Sequence, residues 1–410
     1  MSRFIAVLAA LSSIAAVQAK VNQITISKTS PAFKGQTFGR TGAYEILKGT
    51  ATGELDPADR RNALITDIQF APRDANGKVP YTATFSILKP VDVTKANGIL
   101  VYDVTNRGNV RFAGRFTKFV LATAPADPDA IDPGDGSLYK AGYIVLSSGW
   151  QGDLPIDAAA NREGINVPVA KNADGSSITG PVVVRFAAGA PGNAVVPFSG
   201  NVNTLSLPGY GRTPASLDTT KATLISKTSE TQSGVSGGVV TIASSDWAFA
   251  DCRTTPFPGK PDPTRVCLKN SFNPALLYQL VYTAKDPLVL GVGLAALRDV
   301  VSFFRRESKD DAGAANPIAG ATRQVIGYGI SQPARLMRDF INLGFNEDES
   351  GKIVWDGAYL DASGASGQFN IRFAQPGNIA GLFDPVAEGP SWWEDYTDKV
   401  RERPSWGLLH

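Results

Sequence analysis

The chain has 410 residues, with 40 basic and 38 acidic side chains, a net charge of +2, two cysteines and one histidine, His410. This balance, with no dense Lys/Arg cluster, argues against nucleic acid or another polyphosphate as partner. A single imidazole at the last position cannot build a His-based zinc site. No stretch beyond residue 19 approaches the roughly 20 uninterrupted apolar residues of a membrane-spanning helix.

Residues 1–19 read as a secretion signal, with Arg3 at the start, an apolar run from Phe4 to Val17, and small residues around Ala19 for cleavage. The mature protein is therefore expected in the periplasm or secreted. Its length suits one large core plus a second unit. Residues 20–90 form a β-rich lead-in: VNQITIS, AYEILKGTATGEL, ALITDIQFAP and YTATFSILKP alternate apolar and polar residues between turn formers.

At 91–150 the pattern changes to apolar runs, ILVYDV and AGYIVLSSGW, which suit strands buried on both faces. An acidic loop with Asp127, Asp129, Asp132 and Asp135 separates them. From 151 to 270 the pieces PVVVRFAA, NTLSLP, TKATLISK and GVVTIASS predict a β-rich insertion. Inside it Cys252 and Cys267 flank a Pro-rich loop. An oxidising compartment predicts that they pair, closing a loop of about 15 residues worth ~3 kcal/mol; two buried thiols are the alternative.

Residues 271–410 resume an α/β pattern. LLYQLVYTA is predicted helical, LGVGLAALRDVVSFFRRE is a helix ending in basic residues, RQVIGYG is a strand, SQPARLMRDFINLGF is a helix ending near Gly344, and KIVWDGAYLDASG supplies a strand. Alternating strands and helices predict an α/β fold with a mainly parallel sheet.

Three short motifs compete for an active site. Gly234-Val235-Ser236-Gly237-Gly238 matches G-x-S-x-G, but a polar turn precedes the serine and a strand follows it, the wrong context for a nucleophile elbow. Gly291-Val292-Gly293-Leu294-Ala295-Ala296 fits a dinucleotide fingerprint, yet the strand before it is too short, and helix packing accounts for its glycines. Gly329-Ile330-Ser331-Gln332-Pro333 stands between a strand and a helix, which would project the Ser331 hydroxyl and place the Gln332 N–H against a developing oxyanion. Pro333 suits a first helical turn, although it takes the place of the motif's last glycine; an ordinary strand–helix junction is the plainer reading.

Several segments resemble the exported bacterial α/β-hydrolase-domain proteins: VYDVTNRGN, SSGWQGD, the stretch from CLKNSFNPALLYQ to VVSFFR, and above all GYGISQPARLMRDFINLGFNEDESGKIVWDGAYLDASGA with FNIRFAQP. The resemblance implies an α/β-hydrolase fold with Ser331 as nucleophile. It departs at Pro333, where the family has a small residue. It also implies that further strands follow, so the chain is read as C-terminally truncated, and the acid and base that follow the serine in chain order are not both in view.

The expected activity is hydrolysis of an ester (acyl) bond of a small molecule, without a cofactor. Ser331 attacks, an oxyanion hole forms from the Gln332 N–H and the loop Asn106-Arg107-Gly108, and Asp361 is the candidate acid. The rival expectation is a non-catalytic exported binding or structural protein, or an inactive truncated hydrolase, because a serine without a base is a weak nucleophile. Asn346-x-Asp348-x-Ser350-Gly351 opens like a calcium loop but has Gly357 at the twelfth position, so solvated turns are expected there and at the acidic loop.

Overall fold

The computed structural model describes residues 20–117, 132–188, 196–207, 212–230, 236–363, 370 and 372–373. Residues 1–19, Asp127, Asp129 and His410 lie outside them. In chain order the main elements are β1 (Lys20–Pro31), β2 (Gly42–Leu55), β3 (Val79–Pro90), β4 (Ile99–Val104), α1 (Phe112–Thr117), α2 (Ser137–Lys140), β5 (Ile144–Ser148), β6 (Thr179–Ala188), β7 (Val202–Ser206), β8 (Thr223–Lys227), β9 (Arg265–Phe272), β10 (Leu277–Lys285), α3 (Val292–Arg306), β11 (Gln324–Ile330), α4 (Gln332–Asn342) and β12 (Gly357–Asp361).

The large sheet runs β1-β2-β3-β5-β4-β11-β12. The first three neighbouring pairs, as far as β3 with β5, are antiparallel; β5 with β4, β4 with β11, and β11 with β12 are parallel. The expectation of a mainly parallel sheet is thus corrected to a mixed one. The strands of the β-rich lead-in supply the antiparallel half of this sheet. Helices cross over only where parallel neighbours require them.

The principal core lies on the sheet face covered by α3 and α4. Tyr102, Leu146, Phe85 and Val325 there meet Val300, Phe304, Leu336, Met337 and Phe340. Arg305 and Arg306 close α3 at its carboxyl end, where a positive charge suits the helix dipole. The opposite face carries an aromatic cluster of Phe33, Phe38, Tyr44, Phe112, Tyr139 and Tyr328.

A second sheet includes β8, β10 and β6, with its own core of Phe186, Leu224, Trp247, Phe272, Tyr278 and Leu280. Here LLYQLVYTA is a strand, not a helix: β10 pairs with β8 and β6, and Tyr278, Leu280, Tyr282 and Ala284 alternate inward. The β-rich region therefore runs to Lys285, past the expected boundary at 270. ALITDIQFAP likewise forms turns and a 3-10 helix at Ile68–Phe70 instead of a strand, with Asp67 at φ 66°. Cys252 and Cys267 are joined by a disulfide, their Cα atoms 5.7 Å apart.

Candidate active site

Three adjacent parallel strands, β5, β4 and β11, end on one edge of the large sheet, and each continues into a loop or turn with polar side chains. Ligands of open α/β sheets bind outside such carboxyl ends.

At the end of β11 the chain turns into α4 through Ser331, whose backbone is at φ 63° and ψ −116°. A non-glycine residue in this region carries about 1–3 kcal/mol of strain and persists only where its surroundings hold it. Ser331 is held on both sides: its N–H donates to the Asp361 carbonyl at 2.9 Å, and its carbonyl accepts from the Arg335 N–H at 3.2 Å. Local sequence makes the junction possible. A Cβ at Gly329 would meet Met337 Sδ at 2.7 Å and Pro333 Cβ at 2.9 Å, so the strand and the first helical turn approach closely because this position is bare. Gln332 opens α4 and is buried.

At the end of β4 the segment Asn106–Asn109 is a tight turn. Its end residues exchange two backbone hydrogen bonds, 2.9 and 3.0 Å, while Arg107 and Gly108 between them have φ 52° and 79°. Two successive positive φ values match a type I′ turn, which favours glycine at its second central position; a Cβ on Gly108 would also run into the Glu163 carbonyl. The N–H groups of Arg107 and Gly108 take no part in the two bonds that close the turn.

Three contacts fix this turn against its surroundings. The Arg107 guanidinium pairs with the buried Asp153 carboxylate at 2.8 Å. The Trp150 indole N–H donates to the Thr105 carbonyl at 2.8 Å. The Asp103 carboxylate, fully buried on β4, accepts from the Arg111 and Phe112 N–H groups at 2.6 and 2.7 Å and so spans the loop from strand end to α1. Burial pushes the Asp103 carboxyl up to about 7, against the pull of those two N–H groups and of the Arg111 charge. An acid inside the apolar run ILVYDV was the visible signal for Asp103; nothing in the sequence signalled how Trp150, Gln151 and Asp153 are placed.

Asp361 ends β12, directly opposite Ile330. Its backbone supports Ser331, and its carboxylate pairs with Arg115 Nε at 2.8 Å. The structure thus brings Ser331, Gln332 and Asp361 together, and sets the Arg107–Gly108 turn at the end of the strand next to that of Ser331.

A cavity of about 390 Å³ lies elsewhere, between the antiparallel strands and the segment 156–163. It shares Gly108 and Asn109 with the turn but is not lined by Ser331, Gln332 or Asp361. Glu163 lines it, accepts from the Thr84 and Ser86 hydroxyls, and has its carboxyl pushed upward by burial.

Ser236 and Gly237 form a two-residue strand against Ser229 and Glu230, followed by a strand at Val240–Ile242, with Gly234 and Val235 outside the described residues. Gly293 lies so close to the Trp150 carbonyl that a side chain there has no room. In the calcium-like loop, Asp348 accepts from Ser350 and Lys352 N–H groups and pairs with Arg306. Asp132 and Asp135 accept from the N–H groups two residues on. Among the described residues no group of three or more His, Cys, Asp or Glu is placed to hold a metal ion, and no helix is long and apolar enough to cross a membrane.

The family model described as an alpha/beta hydrolase domain matches residues 226–387, less than half of the chain. The match includes Ser331, Gln332 and Asp361, and hydrolase activity is what it suggests. No curated protein and no solved structure matches the chain.

Proposed function

We propose that the protein is a serine hydrolase that cleaves an ester (acyl) bond of a small molecule, with Ser331 as nucleophile. The observation that carries this reading is the backbone of Ser331, held at φ 63° between β11 and α4. A nucleophile elbow has the same design, a strained strand-to-helix turn that lifts the hydroxyl clear of the sheet. The match of residues 226–387 to an alpha/beta hydrolase domain supports it.

In this reading Ser331 Oγ attacks the ester carbonyl, and the oxyanion is held by the Gln332 N–H together with an N–H of Arg107 or Gly108. Each such donor is typically worth about 3–4 kcal/mol of barrier. Asp361 is the candidate acid, and to orient a base it would have to exchange its bond to Arg115 for one to an imidazole. No described residue takes the part of the base. The export reading fits a site that works in the periplasm or outside the cell, without a cofactor, and the disulfide is compatible with that compartment.

The second reading, a non-catalytic exported binding or structural protein, is favoured by the single histidine, since a serine without a base is a weak nucleophile. Labelling with a fluorophosphonate probe separates the two. Modification mapped to Ser331 and lost in Ser331→Ala supports the hydrolase, whereas absence of labelling in the full chain supports the second reading.

A further inference from the structure

The cavity of about 390 Å³ lies against the sheet face opposite α3 and α4, where Ile46, Leu88 and Val145 of β2, β3 and β5 form part of its wall. The segment 156–163 brings Arg162 and Glu163 to the same lining. Two backbone features set Arg162 there. Asn161 turns the chain at φ 44°, and the Glu163 N–H donates to the Gly108 carbonyl at 2.9 Å. The Arg162 stem lies over Gly108, where an added Cβ would meet its Cδ at 3.2 Å.

The two charged groups that this segment places in the wall differ in how they are answered. Glu163 is buried and accepts from the hydroxyls of Thr84, Ser86 and Ser147, so the sheet satisfies both of its oxygens. Arg162 is half-buried and has no hydrogen bond or ion pair among the described residues. Its Nε is enclosed without a partner, whereas its two Nη atoms are open to a ligand. A guanidinium drawn partly out of water favours a bidentate carboxylate over solvent. Lys28 and Lys48 also line the cavity, and the one other acid there, Asp157, is exposed and accepts from the Ala159 N–H at 3.0 Å. A cationic ligand would thus face three basic side chains. We propose that the cavity binds a small organic acid, with its carboxylate on the Arg162 guanidinium and its apolar body against Ile46, Leu88 and Val145. Its volume falls in the range of small-molecule sites, roughly 300–1,000 Å³. Ser331, Gln332 and Asp361 do not line it, so this site is separate from the candidate active site and does not depend on Ser331 being a nucleophile.

The probes are octanoate, octan-1-ol and octylammonium, which share an apolar chain and differ in charge. Each is titrated at pH 7 into the full chain and into Arg162→Met by ligand-observed NMR. Methionine keeps much of the stem over Gly108 and removes the charge. Octanoate should bind the parent most tightly and octylammonium least. Arg162→Met should weaken octanoate by about tenfold or more and leave octanol unchanged, as loss of a hydrogen bond to a charged group does. No binding of octanoate, equal binding by the two proteins, a loss shared equally by octanol, or a preference for octylammonium overturns the proposal. Methyl NMR of the unaltered chain locates the ligand without any variant. Octanoate should shift the methyl signals of Ile46, Leu88 and Val145. Shifts confined to Ile330 beside Ser331, or to Leu224 and Leu280 in the second sheet, would put the acid elsewhere and overturn the site.

Discussion

The backbone N–H of Ser331 donates to the carbonyl oxygen of Asp361 at 2.9 Å, so the strained residue hangs on the last residue of the neighbouring strand β12. Glycine reaches φ 63° without steric cost, whereas alanine keeps the clash between Cβ and backbone. Ser331→Gly should therefore be more stable than Ser331→Ala by about 1 kcal/mol, the strain released less the added freedom of the unfolded chain. Urea unfolding of the two variants measures the difference, and equal midpoints would remove strain from the account of the elbow.

Asp103 should make stability depend on pH. Burial raises its carboxyl to about 7 in the folded chain, above the ~3.9 of an exposed aspartate. The folded state thus binds the proton more tightly, and the resulting stabilisation is fully present below about pH 4 and lost as pH rises through 7. Asp103→Asn keeps one oxygen to accept from Arg111 and Phe112 but has no proton to lose. Measured by Tm from pH 4 to 8, this variant should gain on the parent as pH rises, and a constant difference would show that Asp103 does not titrate in this range. Asp299, also raised by burial, to about 6, adds the same sign of slope to both proteins and cancels in the comparison.

Local chemistry was legible where one signal dominated. The junction at Ser331 could be read because a short apolar run, two glycines, a serine and a proline all agree on strand, turn and helix. Pairing was not legible. LLYQLVYTA suits a buried helix or strand equally well by apolar content, and only its partners, β8 on one side and β6 on the other, decide for the strand. The mixed sheet was hidden for the same reason, since β3 meets β5 across a long stretch of chain. Arg162 was invisible as a candidate because its distinguishing property, a charge without a partner in a cavity wall, belongs to the fold and not to the residue.

The disulfide should contribute to the stability of the three-stranded sheet that holds β9. Cys252 and Cys267 are separated by 15 positions, and closing a loop of that size constrains the unfolded chain by about 3 kcal/mol. Both cysteines lie in a small buried cluster with Ala250, and Cys267 is itself a residue of β9. Replacing both cysteines with serine should lower stability by roughly that amount, measured by urea unfolding without reductant, and should leave labelling of Ser331 unchanged, because the pair lies outside the sheet that bears it. A loss below about 0.5 kcal/mol would show that the loop is already ordered in the unfolded chain.

The most severe stability effect is expected at Arg298. It is fully buried on α3, bonds Asp299 at 2.7 Å and Glu349 at 3.1 Å, and through them reaches Tyr81 on β3 and Asn62 in the turns after β2. One guanidinium thus answers two buried carboxylates from two elements. Arg298→Met removes the charge and leaves both acids in an apolar setting, which costs about 3–5 kcal/mol when a buried pair is broken from one side. Asp299 can escape this penalty only by taking up a proton. The loss should therefore be largest at pH 8 and shrink at pH 5, below the value of about 6 to which burial already raises Asp299 with Arg298 in place. Adding Asp299→Asn and Glu349→Gln should recover much of the loss at pH 8 and little at pH 5. Urea unfolding of the single and triple variants at both pH values measures this, and a single-variant loss that is equal at the two would show that the carboxylates reach water and that the cluster is held by packing alone.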